Sequence, residues 1–279
     1  MQNEQVSINW IEQFEIHLKQ EEKSPATIEK YLRDIQKFYT FLEDRPISKT
    51  ETISYKHYLS TRYATTSINS MLVSLNVYLR FIEHPEYCVK LHKIQQQLFC
   101  KESKELTKDE YIKLVKAAKQ TQLALILQTI CCTGIRISEL QYITAKAVYD
   151  GQAVVTSKNK TRTIFIQSPL KELLKKHIKS QRIKSGPIFL TPHGKPVDRS
   201  TVWRKMKALC KKTDVHPDKV FPHNLRHLFA KTFYTAEKDV IRLADLLGHS
   251  NINTTRIYTA ESEKSQLYKL QQIQKTLIT

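Results

Sequence analysis

Six residues of this 279-residue chain are of types that can grip and break a phosphodiester: Arg136, Lys158, His223, Arg226, His249 and Tyr258. Two guanidinium forks can hold the non-bridging phosphate oxygens and stabilise the charge of a pentacoordinate transition state better than lysine point charges can. That role suits Arg136 and Arg226. A tyrosine hydroxyl, with an ordinary pKa of about 10, is a poor nucleophile until a base or a positive field assists it. Tyr258 could attack if His223 took its proton. A lysine at a hairpin tip can protonate a leaving 5′ oxygen, and His249 can donate a hydrogen bond to the phosphate. The tip reads Ser157-Lys158-Asn159-Lys160, so the lysine is Lys158, with Lys160 as the alternative.

Taken singly, each residue has an ordinary explanation. Arg136 can pair with Glu139 three residues on, Lys158 and Lys160 can decorate an exposed turn, and His223 can cap a helix. In LLGHSNINTTRIYT (246–259), His249 can simply follow the Gly248 helix stop, and Tyr258 can be a core residue. Tyr142, Tyr234, Tyr268, His193, His216 and His227 keep such readings, although His227 adjoins Arg226. What sets the six apart is that each falls where an element begins or turns, which is where side chains converge.

The elements that must position them are mostly helical. Ser24-Pro25 is an N-cap with proline at the first helical position, and Ile28, Tyr31, Leu32, Ile35, Phe38, Tyr39 and Leu42 follow at helical spacing. Trp10, Ile11, Phe14 and Leu18 repeat the pattern upstream, and Ile68 to Ile82 repeats it downstream, which predicts a small helical bundle. His84-Pro85 breaks the pattern, and the polar stretch 95–105 suits a linker before the capping box Thr107-Lys-Asp-Glu110. Beyond it come an apolar helix over 123–132 ending at Thr133-Gly134, and a new helix from Ile135. Two β runs, AVVT and TIFI, flank the basic turn. Helices are predicted again over 170–183 and 200–212, after Pro222, and from Val240 to Leu247.

Composition limits the partner. The formal charge is +18, yet residues 1–100 carry twelve basic and twelve acidic side chains, so the whole excess lies in 101–279. A basic excess so placed points to a polyanion, most often nucleic acid, through phosphate neutralisation and counterion release. No apolar run reaches membrane-span length, and the start MQNEQVSINW lacks the basic and apolar regions of a signal peptide. The five cysteines, Cys88, Cys100, Cys131, Cys132 and Cys210, contain no CxxC and suggest neither a disulfide framework nor a zinc site. A cytoplasmic protein with no membrane partner is expected.

TGIRISEL, the lysine-bearing hairpin, HNLRH and LGHSNINTTRIYT, in this order, resemble the conserved boxes of the tyrosine recombinases, or phage integrase family. SPATIEKYLRDIQKFYTFL resembles, less specifically, that family's N-terminal domain. The resemblance implies a mainly α fold with a small β-sheet. A helical core-binding (SAM-like) DNA clamp would cover 1–95, a linker 96–104 and an α+β catalytic domain with a C-terminal exchange helix 105–279. It implies a site-specific recombinase that cleaves and rejoins double-stranded DNA through a 3′-phosphotyrosine, with no metal and no nucleotide cofactor. Such an enzyme works as a homotetramer on DNA and can be a monomer in solution. Arg136 and Arg226 resemble the family's arginine pair, Lys158 its hairpin lysine, His223 and His249 its histidines and Tyr258 its nucleophile. The hairpin tip lacks the family's glycine, and Asn224 stands where an aspartate is usual. An integrase or excisionase of a mobile element or phage is the first expectation. A Xer-like chromosome resolvase, a type IB topoisomerase-like enzyme and a non-catalytic DNA-binding protein are the alternatives.

Overall fold

Ser24 and Pro25 act as the sequence predicts: the Ser24 hydroxyl accepts from the Thr27 backbone N–H, and helix α2 runs Pro25–Leu42. The computed structural model describes residues 2–93, 104–157, 160–249, 251–256, 258, 267, 271 and 273–275. The chain divides into two compact units, Met1–Gln96 and Gln97–Thr279.

The first unit is four helices, α1 (Gln2–Gln20), α2, α3 (Lys49–Ser60) and α4 (Thr65–Phe81). The predicted stripes close on one core of Phe14, Leu18, Ile35, Phe38, Leu72 and Tyr78. Asp34 is a charge in this apolar setting, and the Lys30 ammonium and the Ser74 hydroxyl both donate to it, which is how a buried carboxylate is tolerated.

The second unit is built on α6 (Gln122–Thr133), with Leu123, Ile126, Leu127 and Ile130 all buried. Before it lies α5 (Lys108–Ala117), opened by the Thr107–Glu110 capping box. After it come α7 (Ala145–Asp150) and the antiparallel pair β1 (Gln152–Ser157) and β2 (Lys160–Phe165), in register from Gln152↔Phe165 to Ser157↔Lys160. Ala153, Val155 and Ile164 face the core while Val154 and Phe165 face outward, the alternation of a half-buried sheet. α8 (Ser168–Ser180), α9 (Arg199–Cys210), α10 (Pro222–Glu237), α11 (Val240–Leu247) and α12 (Asn253–Arg256) follow.

One expectation needs correcting. Residues 135–136 do not start an α-helix; Arg136 is extended (φ −75°, ψ 148°) and a 3-10 helix spans Ile137–Tyr142. The cause is Glu139, whose carboxylate accepts the Arg136 backbone N–H at 2.8 Å and fixes that residue in a cap conformation.

Candidate active site

Helix α11 ends because Gly248 adopts φ +63°, in the left-handed region, and the backbone N–H groups of Gly248 and His249 turn back to Asp245 and Ala244. The carbonyls of Leu247 and Gly248 are left without helical partners, and three arginines take them. Leu247 O accepts from Arg162 Nη1 and Arg226 Nη2, each at 2.7 Å, and Gly248 O accepts from Arg136 Nη2 at 3.3 Å. A helix C-terminus carries partial negative charge, so it is a natural collecting point for guanidiniums.

Arg226, on the second turn of α10, is 2% exposed. Its other fork arm donates to the carbonyl of Gly134, the left-handed C-cap of α6, so the group lies between two helix C-termini. Burial pushes its pKa down to about 10, helped by the charge of Arg136, and it stays protonated at neutral pH. Gly134 is needed here twice over: its φ is +64°, and a Cβ would stand 2.5 Å from the Phe229 ring.

His249 follows the Gly248 turn. Its Nε2 faces Arg226 Nη2 at 3.1 Å, and since a guanidinium only donates, Nε2 must accept. By this bonding pattern the proton sits on Nδ1, which donates to the buried Thr255 hydroxyl at 2.8 Å. Burial, then the charges of Arg226 and Arg136, hold this imidazole neutral with a pKa of about 4. A hydrogen bond from His249 to a phosphate therefore requires the Arg226 contact to open.

Tyr258 is 2% exposed. Its ring stacks near-parallel on His249, with centroids 6.1 Å apart, and meets His227 edge-on at 4.5 Å. Burial raises its pKa, and the neighbouring Arg226 and Arg136 oppose that rise, Arg226 by hydrogen bonding as well as charge. His223 lies on the exposed side of the first turn of α10, its ring 5.0 Å from that of His227. Partial desolvation and the charges of Arg226, Arg136 and Arg199 lower its pKa. His227, which the sequence left with an ordinary reading, thus stands between His223 and the tyrosine. Lys158 lies outside the described residues, and of Lys160 only the backbone, opening β2, is described.

Three further residues belong to the constellation. Glu139, 2% exposed, accepts from Arg136 Nη1 at 2.9 Å and from Arg162 Nη2 at 2.7 Å. It is at once the ordinary partner of Arg136 and the anchor of the group. Arg162 shares a strand face with the buried Ile164 and Ile166, so β alternation alone could have marked it as an inward-pointing charge. Asn224 is 6% exposed, and its Nδ2 donates to the carbonyls of Lys104 and Lys219, both at 2.8 Å; an aspartate could not make these bonds.

Arg136 and Arg162 share the buried Glu139 carboxylate, and Arg226 donates instead to carbonyls and to His249, so three guanidiniums stand near one carboxylate and positive charge is in excess. A cavity of about 390 Å³ opens beside them, lined by Arg136, Arg199, Trp203, His223 and Arg226 among others. The cavity presents the guanidiniums of Arg136, Arg199 and Arg226 to an anion.

Residues 104–265 match the phage integrase family, and residues 11–86 match the phage integrase N-terminal SAM-like domain. Tyrosine recombinase XerA of Pyrococcus horikoshii is 29% identical, with 93% of this chain and 91% of the relative covered. Tyrosine recombinase XerD of Chlamydia trachomatis is also 29% identical, with 93% of each chain covered. Among solved structures, a lambda integrase dimer bound to a COC′ core site has a TM-score of 0.71 at 20% identity, covering 90% of this chain and 94% of that one. The post-cleavage complex of XerH with a palindromic difH substrate has a TM-score of 0.73 at 18% identity, covering 89% and 80%.

Proposed function

The chain belongs to the phage integrase family and is a tyrosine site-specific DNA recombinase, and we propose that Tyr258 is its nucleophile, served by Arg136, Arg226, His223, His249 and Lys158. The Tyr258 oxygen attacks the scissile phosphorus, the bond from phosphorus to the 5′ oxygen breaks, and a 3′-phosphotyrosine and a free 5′-hydroxyl result. His223, through or beside His227, takes the phenol proton, and Lys158 returns one to the leaving oxygen. Arg136 and Arg226 balance the charge added to the phosphoryl oxygens. The observation that carries this reading is that Arg226 bonds His249 and bridges two helix ends, while His249 stacks on Tyr258 and the charge of Arg226 acts on the phenol. Because Tyr258 is 2% exposed, DNA must displace part of this packing to reach it.

Tyr258→Phe keeps the ring and its packing but removes the hydroxyl. It should bind a duplex carrying the site yet form no covalent adduct on a nicked substrate; a surviving adduct would overturn the assignment.

The substrate is double-stranded DNA in the cytoplasm, held by a core-binding unit over 1–95 and a catalytic unit over 105–279 joined by 96–104. Four protomers act on two duplexes. The biological task we favour is integration or excision of a phage or mobile element. Resolution of chromosome multimers is the second reading, and the names of the Pyrococcus and Chlamydia relatives support it. Sequencing the DNA ends trapped on Tyr258 separates them: element termini support the first, a single chromosomal site the second.

A further inference from the structure

We propose that Arg162 is a positioning residue for DNA cleavage, acting through Glu139 to aim Arg136 and through the Leu247 carbonyl to hold the Gly248–His249 turn. This rests on the reading of Arg136 as a catalytic arginine and deepens it. Four observations carry it. The Arg162 side chain, 13% exposed, donates one fork arm to Glu139 and the other to Leu247 O, both at 2.7 Å, so one rigid planar group joins β2, the 3-10 helix and the end of α11. Glu139 divides its two oxygens, giving Oε1 to Arg136 Nη1 and Oε2 to Arg162 and the Arg136 backbone, so losing Arg162 removes the one of these three bonds that ties the carboxylate orienting Arg136 to another element. Leu247 O is shared with Arg226, so the same carbonyl registers both arginines. Gly248 is shaped around this side chain: a Cβ there would stand 2.7 Å from Arg162 Cδ and 2.8 Å from Nη1.

Arg162 borders a cavity of about 190 Å³ with Arg136 and His249, but its guanidinium is turned to the protein. Its two fork arms are committed to protein acceptors, and its Nε is buried without a protein partner. Its contribution must then pass through the groups it holds, mainly Arg136 by way of Glu139, and a lysine, with a single ammonium in place of a fork, cannot span both acceptors in the same way.

The test is a double-mutant cycle on the full-length chain, using single-turnover adduct formation on a nicked duplex, with DNA affinity measured separately. Arg162→Gln should lower the cleavage rate on the order of tenfold or more while affinity changes less than about threefold. Arg162→Lys should lie between the two. In an Arg136→Ala background, Arg162→Gln should cost less than about threefold further, because the residue it orients is gone. A full, multiplicative loss in that background would overturn the proposal, as would equal losses of affinity and cleavage. So would unfolding of both the Gln and the Lys variants, which would make Arg162 a core residue only. If Arg136→Ala alone cleaves normally, the catalytic reading of Arg136 fails instead, an outcome distinct from failed coupling.

Discussion

Arg136 and Arg226 face the same cavity but differ in how deeply the fold depends on them. The Arg136 side chain is 37% exposed and tied to Glu139, whereas Arg226 is 2% exposed and fills carbonyls at two helix ends. Arg136→Ala should therefore slow cleavage on the order of a hundredfold with little change in thermal midpoint or DNA affinity. Arg226→Ala should slow cleavage at least as much and also destabilise the protein by about 1–3 kcal/mol, since it leaves the Gly134 carbonyl unpaired and takes one of two donors from Leu247 O. Single-turnover cleavage and denaturant unfolding, run on both variants, check the contrast; equal stability of the two would refute it. The histidines set a pH dependence. His227 and His249 are held at about 4, mainly by burial, and for His227 next by the charge of His223. Between about pH 4 and 6.5 the unfolded chain then binds more protons than the folded one. The stability these imidazoles contribute is complete above about pH 6.5 and drains as pH falls toward 4. Replacing His227 with Gln should flatten the decline in thermal midpoint from pH 7 to pH 4.5, and an unchanged slope would count against its burial as neutral imidazole.

At the scale of elements, the turn after α11 is where chain geometry and chemistry meet. Gly248→Ala combines a left-handed backbone (φ +63°) with a Cβ 2.7 Å from Arg162, whereas Gly186→Ala shares a positive φ (+77°) but meets no atom within 4 Å. Both should lose about 1 kcal/mol from the backbone alone. Only Gly248→Ala should in addition slow cleavage, by displacing Arg162; equal cleavage by the two alanine variants would show that the contact is dispensable. The same turn shows what the sequence could and could not disclose. Helices such as α2 and α11 were legible because cap, apolar spacing and stop coincide within one local stretch. Helix α3 was not, because its buried face mixes Thr52 with Tyr55 and Leu59 while Ile53 points outward, so no apolar stripe is readable. The boxes marked Arg136, Arg226, His249 and Tyr258, which meet in the structure. Glu139 and Arg162 escaped as a unit because their ion pair joins a 3-10 helix to a strand, and such a pairing is fixed by tertiary packing. His227 escaped for the same reason: its contact with Tyr258 spans α10 and the segment after α12.

For the whole molecule, the basic excess lies entirely in 101–279, the part that also holds the arginine cluster. The proposed assembly can be tested at the tail. Leu267, Leu270, Ile273 and Leu277 form an apolar stripe at helical spacing, of which Leu270 and Leu277 lie outside the described residues. Leu267 and Ile273 have helical backbone and are 54% and 53% exposed, so neither is covered by its own chain. An apolar stripe left open to water gains by burial against another surface, and in a cyclic assembly the neighbouring protomer supplies one. Deleting 265–279 should abolish synapsis of two duplexes and strand exchange while binding to a single half-site survives. Gel-shift of one half-site and recombination between two marked duplexes measure the two activities in parallel. Retained strand exchange would remove the tail from assembly, and a deletion that neither folds nor binds would place the helix in its own domain's core.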